Sequence, residues 1–144
     1  MSSEKEFISE SEEQTKKFAA DFARSLKAGD VVCLEGDLGA GKTHFVKGMV
    51  TAFGIEESDV QSPTFTLINE YPGSIPLYHF DCYRMESVHE AIEIGAEEYF
   101  YGEGVSVIEW PERIRDIIPA EAVWITITSL APTKRKFVIQ QKGT

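Results

Sequence analysis

Basic residues are scarce in this sequence: 14 Lys and Arg stand against 24 Asp and Glu, for a formal net charge of -10 and a pI near 4.7. A protein that coats nucleic acid or anionic membrane needs a basic footprint for phosphate. That mode of action is therefore excluded for the chain as a whole, though a local basic site is not. Cysteine is scarce too. Cys33 and Cys82 are far apart and form no close pair of the kind that ligates zinc. No Cys/His cluster and no readable Ser/His/Asp order is present. In the absence of a secretory signal, the expectation is two reduced thiols in the cytoplasm. Long apolar runs are also missing: none approaches the ~18 residues a membrane helix needs. Met1 to Glu13 carries five Glu and no apolar core, unlike a signal or transit peptide. There is no internal repeat and no low-complexity linker.

What is present fits one globular unit. The 144 residues match a single domain of ~100–200 residues, and a chain of that length can bury a core without staples. Hydrophobic residues at 42% and charged residues at 26% are the proportions of a soluble, folded protein. The expectation is one domain over residues 1–144.

Local patterns predict the elements. Ser9 or Ser11 caps a first helix that runs to about Ala28, with Phe18, Phe22 and Leu26 on one face and Gly29 as its stop. Asp30 to Glu35 reads as a buried strand. A second helix starts near Gly41 or Lys42, buries Phe45, Val46, Met49, Val50 and Phe53, and stops at Gly54. Phe65–Tyr71 and Leu77–Cys82 read as strands joined through Pro72 and Gly73. Glu86 to Tyr101 holds one or two short helices around Gly95. Val105–Glu109 is another buried strand, and Glu112–Ile118 a short helix after Pro111. Val123–Leu130 and Lys136–Gln140 form a closing hairpin through Ala131, Pro132 and Thr133. Early strand–helix alternation favours an α/β fold whose sheet has parallel members. Its central sheet is expected to be largely parallel but mixed, because the chain also has strand-rich regions.

Gly36-Asp37-Leu38-Gly39-Ala40-Gly41-Lys42-Thr43 satisfies the phosphate-loop pattern G-x-x-x-x-G-K-[ST] at every defined position. Glycines let successive backbone N–H groups turn inward around an anion. The helix that begins there points its positive end at the same place. Lys42 adds a full charge toward the β- and γ-phosphates, and the Thr43 hydroxyl suits Mg²⁺, a hard ion that prefers oxygen. A chance match in a chain of this length is roughly a one-in-two-hundred event, and here the motif sits between a predicted strand and a predicted helix.

A magnesium–nucleotide site also needs an acid at the carboxyl end of a neighbouring strand, where ligands of open α/β sheets bind. Glu109 and Asp81 both qualify. Glu109 closes the more apolar strand and is the better candidate for the metal, directly or through water. Asp81 is the second acid near the metal or the group that orients the attacking water; its structural alternative is a turn cap. Thr64 in Ser62-Pro63-Thr64-Phe65 would reach the γ-phosphate or Mg²⁺ as a switch residue, but spacing alone favours a strand-entry turn fixed by Pro63. His79 reads as a half-buried histidine and Trp110 as core. Arg84 either neutralises transition-state charge or pairs with the acids that follow it.

The nucleotide is narrowed by what is missing. Guanine-reading segments of the N-K-x-D type need an asparagine, and the single one, Asn69, precedes Glu70. No D-x-x-G segment exists either, so ATP is the expected nucleotide. A small-molecule kinase is the alternative chemistry. Such kinases close an arginine-rich lid over the phosphates, and among Arg24, Arg84, Arg113, Arg115 and Arg135 only Arg113 and Arg115 are neighbours. Charge is uneven as well: Met85 to Glu112 carries eight acids and no Lys or Arg, and Pro132 to Thr144 four basic residues and no acid. A solvated acidic face and a basic tail account for this as well as an interaction role does.

The phrases GDLGAGKT, SPTFTL, HFDCYR and VIEWPE, in this order and at these separations, resemble the TsaE family, the bacterial ATPases of tRNA threonylcarbamoyladenosine (t6A) biosynthesis. The likeness spans nearly the whole chain. It implies an α/β fold of the P-loop NTPase type, a three-layer sandwich with a mixed, largely parallel central sheet, and a cytoplasmic, single-domain, Mg²⁺-dependent ATPase that works with the TsaB–TsaD complex. That assembly transfers threonylcarbamoyl to the adenosine next to the anticodon of tRNAs reading codons that begin with A. A TsaE protein is not itself the transferase; its ATP hydrolysis supports repeated cycles, and tRNA is met only through the partners. Carried over by position, the likeness puts Thr43 and Glu109 on Mg²⁺ and Gly39 to Thr43 on the phosphates. Thr64 falls in the switch segment, Asp81 and Trp110 in the HFDCYR and EW phrases, and Thr15 and Arg135 on the adenine side.

Overall fold

The computed structural model describes residues 2–36, 41–60 and 68–142. The expectations for Asp37, Leu38, Gly39, Ala40 and Thr64, and for the first residues of the Phe65–Tyr71 strand, lie outside the described residues. The seven strands are β1 (Ser2–Ser9), β2 (Val31–Glu35), β3 (Ile68–Tyr71), β4 (Leu77–Asp81), β5 (Val105–Glu109), β6 (Val123–Ala131) and β7 (Lys134–Lys142). They form one mixed sheet in the order β1-β7-β6-β2-β5-β4-β3. The centre, β6-β2-β5-β4, is parallel. Both flanks are antiparallel: β3 on β4, and β7 and β1 beyond β6.

The central strands β2 and β5 are covered on both faces, which is why Val-Val-Cys-Leu and Val-Ser-Val-Ile read as continuous buried runs. On one face lie α1 (Glu12–Ala23) and α2 (Lys42–Thr51). Their Ala19, Ala23, Phe45, Val46 and Met49 pack on Val32, Leu34, Leu77, Val107 and Ile125 of the sheet. Phe7, Phe18, Phe22, Phe45 and Phe137 join there as an aromatic cluster, with Phe7 stacked on Phe18 at 4.2 Å between ring centres. On the other face lie α3 (Val88–Glu93), α4 (Ala96–Phe100) and a 3-10 helix (Pro111–Ile117). Ala91, Phe100 and Ile114 from these elements meet Cys33, Phe80 and Ile108. Among the described residues, no helix is long and apolar enough to cross a membrane.

Three elements differ from the sequence expectation. The strand β1 is additional; its Ser-Ser-Glu-Lys-Glu-Phe-Ile-Ser sequence shows little apolar alternation because it is an edge strand that pairs only with β7. The first helix ends at Ala23 rather than Ala28. Phe22 and Leu26 still pack on the core, so the periodic signal continues through a turn that is no longer helix, and Gly29, at φ +91°, follows it. The segment after Pro111 is a kinked 3-10 helix, with Ile114 off helical geometry. The start of α1 follows the expectation. Ser11 caps it by accepting from Gln14 N at 3.1 Å, while the Gln14 side chain accepts from Glu10 N at 2.8 Å.

Cys33 and Cys82 are free, buried thiols. Burial, reinforced for Cys33 by the Glu35 carboxylate and for Cys82 by that of Asp81, disfavours their thiolates: Cys33 is pushed far up and Cys82 to about 12. Since the thiolate is the reactive form, neither cysteine should react with a maleimide at pH 8 in the native protein, and both should react on unfolding. Mass spectrometry of the labelled chain checks this; native-state labelling of either would contradict the packing.

Candidate functional site

The site forms where β2, β4 and β5 end and α2 begins. Strand alternation decides which side chains reach it. Phe80 and Ile108 face the α3–α4 side, so His79, Asp81 and Glu109, one residue away, face the α1–α2 side. Parallel pairing of β4 with β5 then sets Asp81 directly beside Glu109. Two acids separated by 28 positions in the chain become neighbours.

Helix α2 opens at Gly41, which adopts φ +103° and offers no side-chain cap; the first turn carries no acid. Its leading N–H groups therefore lack the carboxylate that commonly balances a helix N-terminus. Instead the first residue is Lys42, a cation only 6% exposed. Its Nζ donates to Gly36 O at 2.9 Å and sits 3.9 Å from the centre of the Trp110 ring. A buried cation at the start of a helix whose first turn carries no acid makes the place suited to an anion. Thr43 follows on the same turn, half-buried.

Glu109 is buried, and its Oε2 lies 2.5 Å from Nε2 of His79, itself 1% exposed. Asp81 is half-buried, and its Oδ1 accepts from Tyr83 N at 3.0 Å. That is the turn-capping geometry given above as its alternative, and it leaves Glu109 as the better enclosed carboxylate. Directly after Glu109 the chain turns left-handed at Trp110, the one non-glycine residue with positive φ (+59°) among the described residues. Such a backbone costs roughly 1–2 kcal/mol for a residue with a side chain. Contacts of the Trp110 ring with Tyr83, at 4.9 Å between ring centres, and with Lys42 offset it. Trp110 is thus a half-buried wall of the site that also packs against the core on the α3–α4 side.

Thr15 and Arg135 are 120 positions apart in the chain, yet both line one small pocket of about 40 Å³ with Ser11, Gly41 and His44. Arg135 lies against Gly41: a Cβ on that glycine would be 3.3 Å from Arg135 Nε. Its Nη1 donates to Ala131 O at 2.9 Å, which fixes the guanidinium on the β6–β7 turn. Thr15 is buried and donates to Ser9 Oγ at 2.7 Å. The family resemblance points to both residues, whereas nothing in the sequence singles out His44 or His79 for the site. His44 is recognisable only once α2 is placed beside α1, where it lies 3.5 Å from Glu12. A larger cavity of about 470 Å³ opens at the opposite end of the sheet, near Leu26, Asp30, Tyr101 and Val123. It contains none of the motif residues.

The donor set is one that fits a magnesium–nucleotide complex. Among the described residues no three His, Cys, Asp or Glu side chains gather to cage a metal. Magnesium is rarely caged; it keeps waters and takes one or two protein oxygens plus phosphate, which Thr43 and Glu109 have the chemistry to supply.

Comparison with known proteins agrees with this geometry. Residues 9–137 match the family model described as threonylcarbamoyl adenosine biosynthesis protein TsaE. A tRNA threonylcarbamoyladenosine biosynthesis protein TsaE of Treponema pallidum is 43% identical over 132 residues, covering 92% of this chain and 97% of that protein. The protein of the same name from Bacillus subtilis is 46% identical over 132 residues, covering 91% and 82%. The crystal structure of Bacillus subtilis YdiB superposes with a TM-score of 0.82 at 38% identity, covering 99% of this chain and 88% of that one. Shared motifs, shared fold and identity across nearly the whole length lead to one conclusion: the chain belongs to the TsaE family.

Proposed function

We propose that the chain is the Mg²⁺-dependent ATPase component of t6A biosynthesis in the cytoplasm, acting with TsaB and TsaD. The observation that carries the reading is the buried Lys42 at an uncapped helix start, on the same side of the sheet as the enclosed Glu109 carboxylate. In this reading the backbone from Gly36 to Thr43 and the α2 N-terminus bind the phosphates, and Lys42 leaves the Gly36 carbonyl for the β- and γ-phosphates. Thr43 and Glu109 hold the magnesium ion, which when bound offsets charge on the terminal phosphates. Asp81 lies beside Glu109 and orients the attacking water, and Thr64 acts as the switch residue. Adenine enters between Thr15 and Arg135, where the guanidinium offers a flat cationic surface for stacking.

A phosphotransferase reading lacks support. Arg115, half of the one adjacent arginine pair, lies over the Trp124 ring at 4.6 Å and 4.0 Å from Glu35, a surface role rather than a lid. Met85 to Glu112 exposes most of its acids, which would repel RNA, so tRNA is reached through the protein partners. Reconstitution tests the reading. With TsaB, TsaD, tRNA and the threonylcarbamoyl donor, modification beyond one round per complex should require this chain and ATP. Full multiple-turnover modification without the chain would contradict it.

A further inference from the structure

We propose that His79 is a positioning residue that locks the Glu109 carboxylate for the nucleotide-bound cation, an inference that rests on the magnesium–nucleotide reading above. His79 sits on β4 opposite Val107 and reaches diagonally along the strands to Glu109, two residues further on. Nε2 is 2.5 Å from Oε2, so Nε2–H donates to the carboxylate. Nδ1 is buried with no hydrogen-bond partner among the described residues. An orphaned buried polar atom is costly, and the bond to Glu109 is the one polar contact the ring makes among the described residues. A proton on Nε2 leaves Nδ1 as a bare acceptor.

The consequence falls on Glu109. The terminal torsion of a free glutamate is broad and roughly two-fold, whereas magnesium requires near-ideal octahedral placement of its ligands. With Oε2 held by His79, Oε1 is the oxygen left to face the site. Outer groups that fix a metal ligand contribute about 10–100-fold to metal affinity or activity when tested by substitution. Asp81 is already engaged with Tyr83 N and lacks this clamp, which separates the two neighbouring carboxylates by role.

The test measures affinity for a non-hydrolysable ATP analogue by calorimetry, with Mg²⁺ and with EDTA, in the wild type, His79→Ala and His79→Gln. The ratio of the two affinities should fall by about 10–100-fold in His79→Ala and recover in part in His79→Gln, whose amide N–H replaces the donor. A purely structural histidine would lower the melting temperature and leave the ratio unchanged, which would overturn the proposal. A wild type that binds equally with and without Mg²⁺ would overturn the magnesium reading and this inference together, and so is distinguishable from failure of the clamp alone. Nitrogen NMR of the His79 ring in the wild type needs no variant to fold: the proton should reside on Nε2, and a proton on Nδ1 would refute the clamp.

Discussion

Replacing Lys42 with alanine is expected to lower ATP hydrolysis by about 10²–10³-fold, the loss typical when one preorganised group facing developing charge is removed. Nucleotide affinity should fall with it, because Lys42 meets the phosphates in the ground state as well as in the transition state. Stability should change little. In the free protein the ammonium is buried and held by the Gly36 carbonyl and the Trp110 ring, and a desolvated buried charge contributes little net stability even when it is held. This combination is diagnostic: a large fall in turnover with an unchanged melting temperature assigns the residue to chemistry. Lys42→Arg should not rescue, because the longer, planar fork would have to displace the Trp110 ring. Phosphate release and thermal denaturation of the same preparations check both statements. A Lys42→Ala variant that binds and hydrolyses ATP normally would remove the lysine from the site.

The second large effect lies outside the site. Gly48→Val should destabilise the fold by at least about 3 kcal/mol, the upper range for overpacking. Gly48 lies where α2 crosses α1, and a Cβ there would stand 2.4 Å from Lys16 O and 2.7 Å from Lys16 Cα. Those are backbone atoms and cannot swing aside. Helix propensity alone would favour valine over glycine by only ~0.3 kcal/mol, so the clash decides the sign. The melting temperature should drop by roughly 10 °C for a domain of this size. If the variant folds, α1 must move away from α2, and Thr15 leaves the pocket it shares with Gly41 and Arg135. ATP affinity should then suffer before the chemistry does. A variant as stable as the wild type would show that the helix contact is looser than described.

The sequence is legible where one local feature dictates the outcome. The glycine loop before a hydrophobic helix marks α2, and the runs at Val31 and Val105 mark the two central strands, because burial on both faces leaves an unbroken apolar signature. It is silent where partners are distant. The strand β1 has no signature of its own, since it gains its hydrogen bonds only at the edge provided by β7. The helix α1 was read too long because Leu26 stays in the core after the backbone has left helical geometry. In the site, the acids at the ends of β4 and β5 are visible in the chain, but nothing local sets Asp81 beside Glu109; the parallel register does. His79 looked like an ordinary histidine for the same reason. Its meaning comes from a carboxylate 30 positions away that shares its sheet face. Trp110 reads as core from its bulk and does pack there; its place beside Lys42 depends on the left-handed backbone that follows β5, which no local signal announces.

Hydrolysis of ATP with magnesium at the Lys42–Glu109 site is the activity proposed for this fold. Its most direct measurement is phosphate release from ATP by the purified chain, with and without Mg²⁺, and with TsaB and TsaD added. The prediction is slow release that requires Mg²⁺ and rises with the partners. ATP that binds yet yields no phosphate under any of these conditions, or that passes its terminal phosphate to a metabolite instead of water, would contradict it.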